Sequence, residues 1–299
     1  MATRTWVGGY DNNSVYQSDN WSPAGPVQAG DTLQMFSGTA NMAGGNLSGD
    51  TLHVGTQTSF ASNTPPAVVN LSDGASLTAV AGTTAFAQQN FVFNASGIDT
   101  LNLTIDNNFY ATTSTTVNIA SDSLLNGVVT VEGHNGNLTM NGAGLSAFDN
   151  SGASSVGYNC VATIDANVLG IGSFAVDGDS GLSFLKFVGP GESVTLAGHD
   201  SLGIGMPHAF LGQVDIASGS ESFVIGLAGI TNADSYSYAN DLLTLFDGNR
   251  PIDVLRLNDS GTLQVRENSS GVFVGSSTST LPSDTVALPM HSGIALGAV

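Results

Sequence analysis

Seven large apolar residues recur at intervals of ten in the middle of this 299-residue chain. They are Ile164, Phe174, Phe184, Val194, Ile204, Val214 and Val224. The first six each lie in a short run of roughly alternating apolar and polar residues, and turn-forming Gly, Asp, Ser and Pro residues separate the runs. Alternation over about five residues predicts a strand with one buried face. A fixed spacing between such strands predicts a structure that repeats along an axis.

This spacing constrains the fold because a lone short strand cannot bury its apolar face, whereas stacked strands share one core. We therefore predict a β-solenoid with about two strands in each coil of about twenty residues. An antiparallel β-sandwich is the alternative, since its strands also recur at intervals of about 8–12 residues. The regular spacing favours an all-β, right-handed parallel β-helix with an N-terminal aromatic cap and a C-terminal β-hairpin module.

The composition agrees with an all-β fold. Charged residues make up 10% of the chain, against about 25% in ordinary soluble proteins. Gly, Ser, Thr, Asn and Asp occupy the polar positions instead, and these residues favour β-turns. Helix surfaces usually carry Lys, Glu and Arg, which are scarce here.

We divide the chain into three regions. Residues 1–60 form an N-terminal cap with the first coils, residues 61–230 form the solenoid, and residues 231–299 form a C-terminal β module and tail. Trp6 and Trp21 lie in the first region, and large aromatic side chains suit the cover that an exposed end of a solenoid core needs. An exposed aromatic platform for a ligand is the alternative interpretation.

Local motifs add detail to this division. The near-copies AGDTLQM and SGDTLHV, at Ala29–Met35 and Ser48–Val54, each place Gly-Asp in a turn before an alternating strand. They indicate a degenerate repeat of one coil. The stretch Asn141–Asn159 is rich in Gly, Ser and Asn and predicts a surface loop. Asp247-Gly248 predicts a β-hairpin.

The chain is strongly acidic. It has 24 acidic and five basic residues, for a formal net charge of −19. Such a surface disfavours nucleic acid and anionic lipid, which bind Lys and Arg patches. No run approaches the roughly 18 apolar residues of a membrane helix. The first residues lack the pattern of a secretory signal. The single cysteine, Cys160, excludes an intrachain disulfide, and we expect its thiol to pack as a small hydrophobe.

Three aspartates are candidate calcium ligands. Asp177, Asp179 and Asp200 lie in Gly-rich turns, and carboxylates in such turns commonly bind calcium. The alternative is that they serve only as turn residues. Asp177 and Asp179 also resemble the acid pairs that cleave polysaccharides. The scarcity of basic residues argues against this activity on acidic sugars, because Lys186 is the only Lys or Arg from residue 6 to residue 248.

A transition-metal site is a further hypothesis. His199, Asp200 and His208 lie on neighbouring predicted turns, and imidazole and carboxylate groups both bind zinc. Exposed turn histidines without a metal are the alternative. The chain contains no phosphate-binding or dinucleotide-binding glycine motif.

Two stretches carry a resemblance to secreted bacterial β-repeat surface proteins of the autotransporter-like and repeats-in-toxin-like kind. Phe210–Val274 resembles their C-terminal module through GQVDIASGSESFVIGLAGI, ADSYSYANDLLTLFDG, PIDVLRL and GVFVG. The opening NWSPAGPVQAGDTL, at Asn20–Leu33, is similar to the first coil of autotransporter passenger repeats. The resemblance implies an extracellular or cell-surface protein that is exported without a cleaved N-terminal signal. The tandem glycines of calcium-binding nonapeptides are missing from the chain.

These observations favour a non-enzymatic extracellular structural protein. We expect self-association into a filament, matrix or surface layer, or adhesion, in which calcium and surface glycans are candidate partners. The alternative is a carbohydrate-active or carbohydrate-binding β-helix protein.

Overall fold

The computed structural model describes residues 2–9, 11–29, 31–45, 50–54, 66–82, 89–107, 113–218, 222–259 and 261–291. The described chain is nearly all β-strand, with stacked parallel coils, so the predicted β-solenoid is confirmed. Within the described residues, three short 3₁₀ helices lie at Asp11–Asn13, Ser18–Asn20 and Pro207–Ala209.

The first described strands are β1 (Thr3–Trp6), β2 (Trp21–Ser22), β3 (Thr32–Met35), β4 (Gly38–Ala43), β5 (Thr51–Val54), β6 (Ala67–Ser72), β7 (Ser76–Ala81), β8 (Gln89–Ser96), β9 (Ile98–Asn107) and β10 (Thr113–Ile119). The next are β11 (Leu124–Gly127), β12 (Val129–Gly133), β13 (Gly136–Gly142), β14 (Ala147–Asn150), β15 (Ala153–Val156), β16 (Val161–Asp165), β17 (Asn167–Gly170), β18 (Ser173–Val176), β19 (Gly181–Phe184) and β20 (Ser193–Leu196). The last are β21 (Asp200–Ile204), β22 (Gln213–Ile216), β23 (Phe223–Ala228), β24 (Ser235–Ala239), β25 (Leu242–Asp247), β26 (Arg250–Asn258), β27 (Leu263–Asn268), β28 (Gly271–Ser276) and β29 (Val286–Ala287).

Successive coils pair in parallel to build two sheets. In sheet 1 the parallel strands run in the order β4, β6, β8, β10, β13, β16, β19, β21 and β23. In sheet 2 the main stack follows β1, β3, β5, β7, β9, β12, β15, β18, β20 and β22. Alternate side chains of both sheets point inward, and the apolar residues among them form one continuous core.

The ten-residue spacing corresponds to half a coil. Ile164 and Phe184 are neighbours in sheet 1, whereas Phe174 and Val194 are neighbours in sheet 2, and all four side chains are buried. The ten-residue interval between buried residues does not extend to Val224, whose side chain is only half-buried. The reason is that Leu202 pairs with Ile225, which lies 23 and not 20 positions further on. The odd number of added residues reverses which side chains of β23 face inward.

Each coil in the middle of the chain contains three short strands rather than the predicted two. The long strand β9 pairs with both β11 and β12, and the later pairs β14/β15 and β17/β18 keep this division. The coil length varies. It is about twenty residues between β3 and β5 and in most coils from β14 onward, whereas the coils between these regions are longer, as the pairing of Phe93 with Val117 shows. The prediction of a surface loop over Asn141–Asn159 was wrong, because β14 and β15 lie within it.

Both ends of the solenoid are covered. At the N-terminus the rings of Trp6 and Trp21 make an edge contact at 5.1 Å, and Trp21 Nε1 donates to the Val15 carbonyl at 2.8 Å. Both tryptophans are buried, so they form the predicted cap and not an exposed platform. Tyr10, another aromatic residue of the predicted cap, lies outside the described residues.

At the C-terminus the pairing becomes antiparallel. Strands β24, β25 and β26 form a meander whose last strand pairs with β22, and β28 pairs antiparallel with β23. The hairpin predicted at Asp247-Gly248 is confirmed, since Asp247 pairs with Arg250 and Gly248 has a φ of +60°. Each sheet therefore ends in antiparallel strands rather than in an open parallel coil.

Phe184 provides a test of the shared core. Its ring lies 5.2 Å from that of Phe174 and 6.0 Å from that of Phe210, and the side chain is buried. We expect Phe184→Ala to lower the free energy of unfolding by about 3–5 kcal/mol in urea titrations, because the loss leaves a cavity. The control Leu169→Ala removes a side chain that is 39% exposed. A similar loss in both variants would contradict a core that passes through Phe184.

Candidate functional site: an uncharged face with an asparagine ladder

The three predicted calcium ligands have different surroundings. Asp177 and Asp179 are exposed in the turn between β18 and β19. Asp200 is buried, and its carboxylate accepts hydrogen bonds from the backbone N–H groups of Ser180 at 3.0 Å and Ala197 at 3.1 Å. Within the described ranges, no group of three or more His, Cys, Asp or Glu side chains is arranged to hold a metal ion. Calcium binding by these aspartates stays a prediction.

The two histidines of the predicted transition-metal site have separate partners. His199 Nδ1 lies 3.5 Å from Asp179 Oδ1, and His208 Nδ1 lies 3.2 Å from Asp253 Oδ1. Both histidine side chains are largely exposed. The structure does not assemble them with Asp200 into a metal-binding group.

Asp200 belongs to a column of buried polar groups at one corner of the coil. The Gly136 N–H donates to Cys160 Sγ at 3.3 Å, and the Cys160 N–H donates to Ser180 Oγ at 3.2 Å. Asp200 accepts from Ser180 in the same way. Each side chain satisfies a backbone N–H of the preceding coil, a group that would be costly to bury unpaired. Cys160 is buried as predicted, and burial raises the pKa of its thiol.

Aspartates at or just before the start of strands of sheet 2 hold a second corner, and Asp31 of the first Gly-Asp copy is one of them. The Asp31 carboxylate binds the Arg4 guanidinium at 2.6 Å and accepts hydrogen bonds from the backbone N–H groups of Ala2 and Gln28. The hydrogen bond from Arg4 is the largest of the causes that lower the pKa of Asp31 to about 2. Asp99 accepts the N–H groups of Ala75 and Ser96, each at 3.0 Å. These aspartates therefore hold turns together.

A buried carboxyl group spans two coils at a third corner. Glu192 is 1% exposed; its Oε2 accepts from Asn150 Nδ2 at 2.9 Å and its Oε1 from the Gly172 N–H at 3.4 Å. Burial raises the pKa of Glu192. Gly172 is required here, since a Cβ at that position would lie 2.4 Å from the Asn150 carbonyl oxygen.

The most regular feature of the surface is a ladder of asparagines on the outer side of sheet 1. Its members, one on each of five successive strands, are Asn41, Asn70, Asn94, Asn118 and Asn141. Each amide from Asn70 onward donates to Oδ1 of the preceding asparagine, at 2.6, 2.7, 2.8 and 3.0 Å in chain order. Sequence reasoning missed this ladder, although four of its members recur at intervals of 23 or 24 residues.

The ladder borders an uncharged surface. We define the neutral face as the outward side of β4, β6, β8, β10 and β13. A row beside the ladder carries Thr39, Val68, Val92, Thr116 and Thr139. Among the described outward side chains of these strands none is charged, whereas sheet 2 directs Asp106, Glu132, Asp149 and Asp215 outward.

The neutral face has a charged boundary. Asp165 follows Asn141 in the register of sheet 1, and Lys186 Nζ lies 3.3 Å from Asp165 Oδ1. The same ammonium group donates to the Gly142 carbonyl at 2.6 Å. Lys186 therefore ties three successive coils together where the ladder stops, instead of standing free for an anionic ligand.

A groove runs along the ladder. It has a volume of about 640 Å³, and it is lined by four ladder residues and by the two residues that follow each of them in the sequence. A separate apolar depression of about 260 Å³ lies beyond the boundary, where Gly203, Gly205 and Gly226 form the floor beside Phe273. The surface of sheet 1 thus changes from amide-rich to apolar along the solenoid.

No protein-family model matches the chain, and no curated protein matches it. In the part of the chain that the structure describes, none of the helices has the length and apolar character needed to cross a membrane. We therefore infer the chemistry of the candidate site from the residues that form it.

Glu192 predicts how stability responds to pH. Because burial raises its pKa above the ordinary value of 4.5, the folded protein binds this proton more tightly than the unfolded chain does. The stabilisation that comes from this tighter proton binding is fully present below pH 4.5, and it is lost as the pH rises through the folded-state pKa of Glu192. We expect Glu192→Gln to weaken the pH dependence of the free energy of unfolding between about 4.5 and neutral pH, measured by urea titration.

The matched control is Glu132→Gln, which changes an exposed carboxyl group. We expect it to leave the pH profile of stability unchanged. An unaltered profile in Glu192→Gln would contradict the assignment. Asp200 contributes in the same direction, because burial raises its pKa as well, so Glu192→Gln should reduce the slope without abolishing it.

Proposed function

We propose that the protein is a non-enzymatic extracellular structural protein whose copies associate side by side through the neutral face. One observation carries the proposal. A chain with a formal net charge of −19 presents an uncharged surface on five adjacent parallel strands. The charged side chains lie elsewhere, so this distribution sets the neutral face apart from the rest of the molecule.

Electrostatic repulsion favours this face as the contact. Copies with the same large net charge repel one another, and a close approach of two acidic surfaces is costly. The outward acids of sheet 2, such as Asp106 and Glu132, would meet their equivalents in any contact through that sheet. Contact through the neutral face keeps these carboxylates in water.

The covered ends favour lateral contact over end-to-end growth. An exposed parallel edge would be a template for pairing with another chain. Here β2 pairs antiparallel with β1 at one end of sheet 2, and β28 pairs antiparallel with β23 near the other end of sheet 1. The bridge between Ser14 and Asn41 covers part of the β4 edge.

The sequence supports the extracellular part of the proposal. The acidic, Lys-poor composition and the resemblance to secreted β-repeat surface proteins both favour a matrix, surface-layer or adhesive role. Asp177 and Asp179 lie exposed in one turn, where calcium could bind them as the sequence predicts. Self-association does not depend on that binding.

Paired charge insertions test the contact surface. Thr116 and Thr139 are neighbours on the neutral face, while Thr104 and Thr130 are neighbours on sheet 2. We expect Thr116→Glu/Thr139→Glu to weaken self-association at least about tenfold, equivalent to about 1.4 kcal/mol, because it places like charges in the contact. Sedimentation velocity over a concentration series measures the association.

The matched variant Thr104→Glu/Thr130→Glu adds the same charge to half-buried threonines on the other sheet. We expect it to associate as the unmodified protein does, apart from a small loss due to the added net charge. A wild-type protein that stays monomeric at every concentration contradicts the proposal. Equal weakening by both pairs would also contradict it, because the effect would then come from net charge alone.

A further inference from the structure

The groove beside the asparagine ladder offers unused hydrogen-bonding groups. A primary amide has two N–H donors and an oxygen with two lone pairs. In the ladder, Asn94 and Asn118 each use one donor and one acceptor to bind the neighbouring rungs. One donor and one acceptor on each amide are left for a ligand, and the ladder fixes the orientation of both.

These groups repeat at the spacing of paired strands, which is about 4.8 Å. Four rungs, from Asn70 to Asn141, line the groove, so it presents the same donor and acceptor once in each coil along the axis. The spacing is close to the length of one sugar residue in an extended, β-linked polysaccharide. Because successive residues of an extended β-1,4-linked chain are rotated by half a turn, such a ligand can place one residue on each coil and repeat the same contact at every second coil.

The lining also defines the charge of the ligand. Asparagine, serine, alanine and glycine line the groove, and no charged side chain is among the described residues that do so. Leu71 and Ile119 also border it, but their side chains are buried in the core. A polyuronate or other polyanion would find no Lys or Arg, and the acidic chain would repel it. A neutral sugar presents both hydroxyl groups and C–H surfaces, which match a lining of amides, hydroxyls and apolar groups.

We propose that this groove binds a neutral, extended polysaccharide along the solenoid axis, with one sugar residue on each coil. The inference goes beyond the proposed function, because sugar binding in the groove does not require self-association. The groove lies on the neutral face, so a bound sugar chain and a second copy of the protein would compete for it. It also places the carbohydrate contact away from Asp177 and Asp179, which lie in a turn beyond the ladder. The bound chain would be held and not cleaved.

Isothermal titration of the full chain with cellohexaose, mannohexaose and a hexameric oligogalacturonate tests the inference. We expect at least one neutral oligosaccharide to bind and the acidic one not to bind. Asn94→Leu/Asn118→Leu keeps the approximate size of the side chains but removes the amides, and we expect it to weaken binding at least tenfold. The control Asn102→Leu/Asn126→Leu changes two outward asparagines of sheet 2 and should leave the affinity unchanged.

Loss of the ladder bonds could itself unfold the coils, so a second variant blocks the groove without touching them. Ala120 lines the groove and is exposed, and Ala120→Trp should fill the groove and abolish binding while the circular dichroism spectrum stays unchanged. Three results would overturn the inference: no binding of either neutral oligosaccharide, equal binding of the oligogalacturonate, or full binding by a folded Ala120→Trp variant.

Discussion

Parallel pairing in register is the interaction on which the rest of this structure depends. Each strand hydrogen-bonds to the strand one coil earlier, so residues at equivalent positions of successive coils lie directly beside one another. The pairing turns a sequence repeat into rows that run along the solenoid. Inside, a row of large apolar residues makes a continuous core. At the corners, rows of polar side chains satisfy the backbone N–H groups that the turns leave buried. Outside, a row of one polar residue type becomes a ladder.

The chemistry of the molecule follows from what each row contains. Asp99 and Asp200 lie in corner rows, where backbone N–H groups occupy both carboxylate oxygens of each. Carboxylates at such positions stabilise turns. The asparagine row lies on the outer side of the strands, where each amide satisfies only part of its hydrogen-bonding capacity within the ladder. The asparagine row and the threonines beside it therefore offer repeated neutral amides and hydroxyls to a partner, whereas most of the acids lie on the opposite sheet and in the turns.

The sequence predicted the parts of the fold that depend on apolar periodicity. The rungs Ile164, Phe184 and Ile204 share one interior because their spacing matches the coil length. Polar rows were harder to recognise. Asp200 has the composition and turn context of a calcium ligand, and only the register shows that Ser180 of the preceding coil donates to it. The asparagine ladder was missed because its interval of 23 or 24 residues differs from that of the apolar rungs. The strands within Asn141–Asn159 were missed because their interior includes the polar Asn150 and Ser154, which bond to each other.

Distances between spin labels measure the register directly. Thr39 and Thr139 lie in the same outward row of sheet 1, four strand spacings apart, and Thr163 lies one spacing further. Pulsed electron paramagnetic resonance on spin labels attached to the paired cysteines, in a Cys160→Ser background, would measure both separations. The stacked coil predicts roughly 19 Å for the pair Thr39→Cys/Thr139→Cys and about 4.8 Å more for Thr39→Cys/Thr163→Cys. Separations that do not increase by one strand spacing from the first pair to the second would contradict the parallel stack and the rows that depend on it.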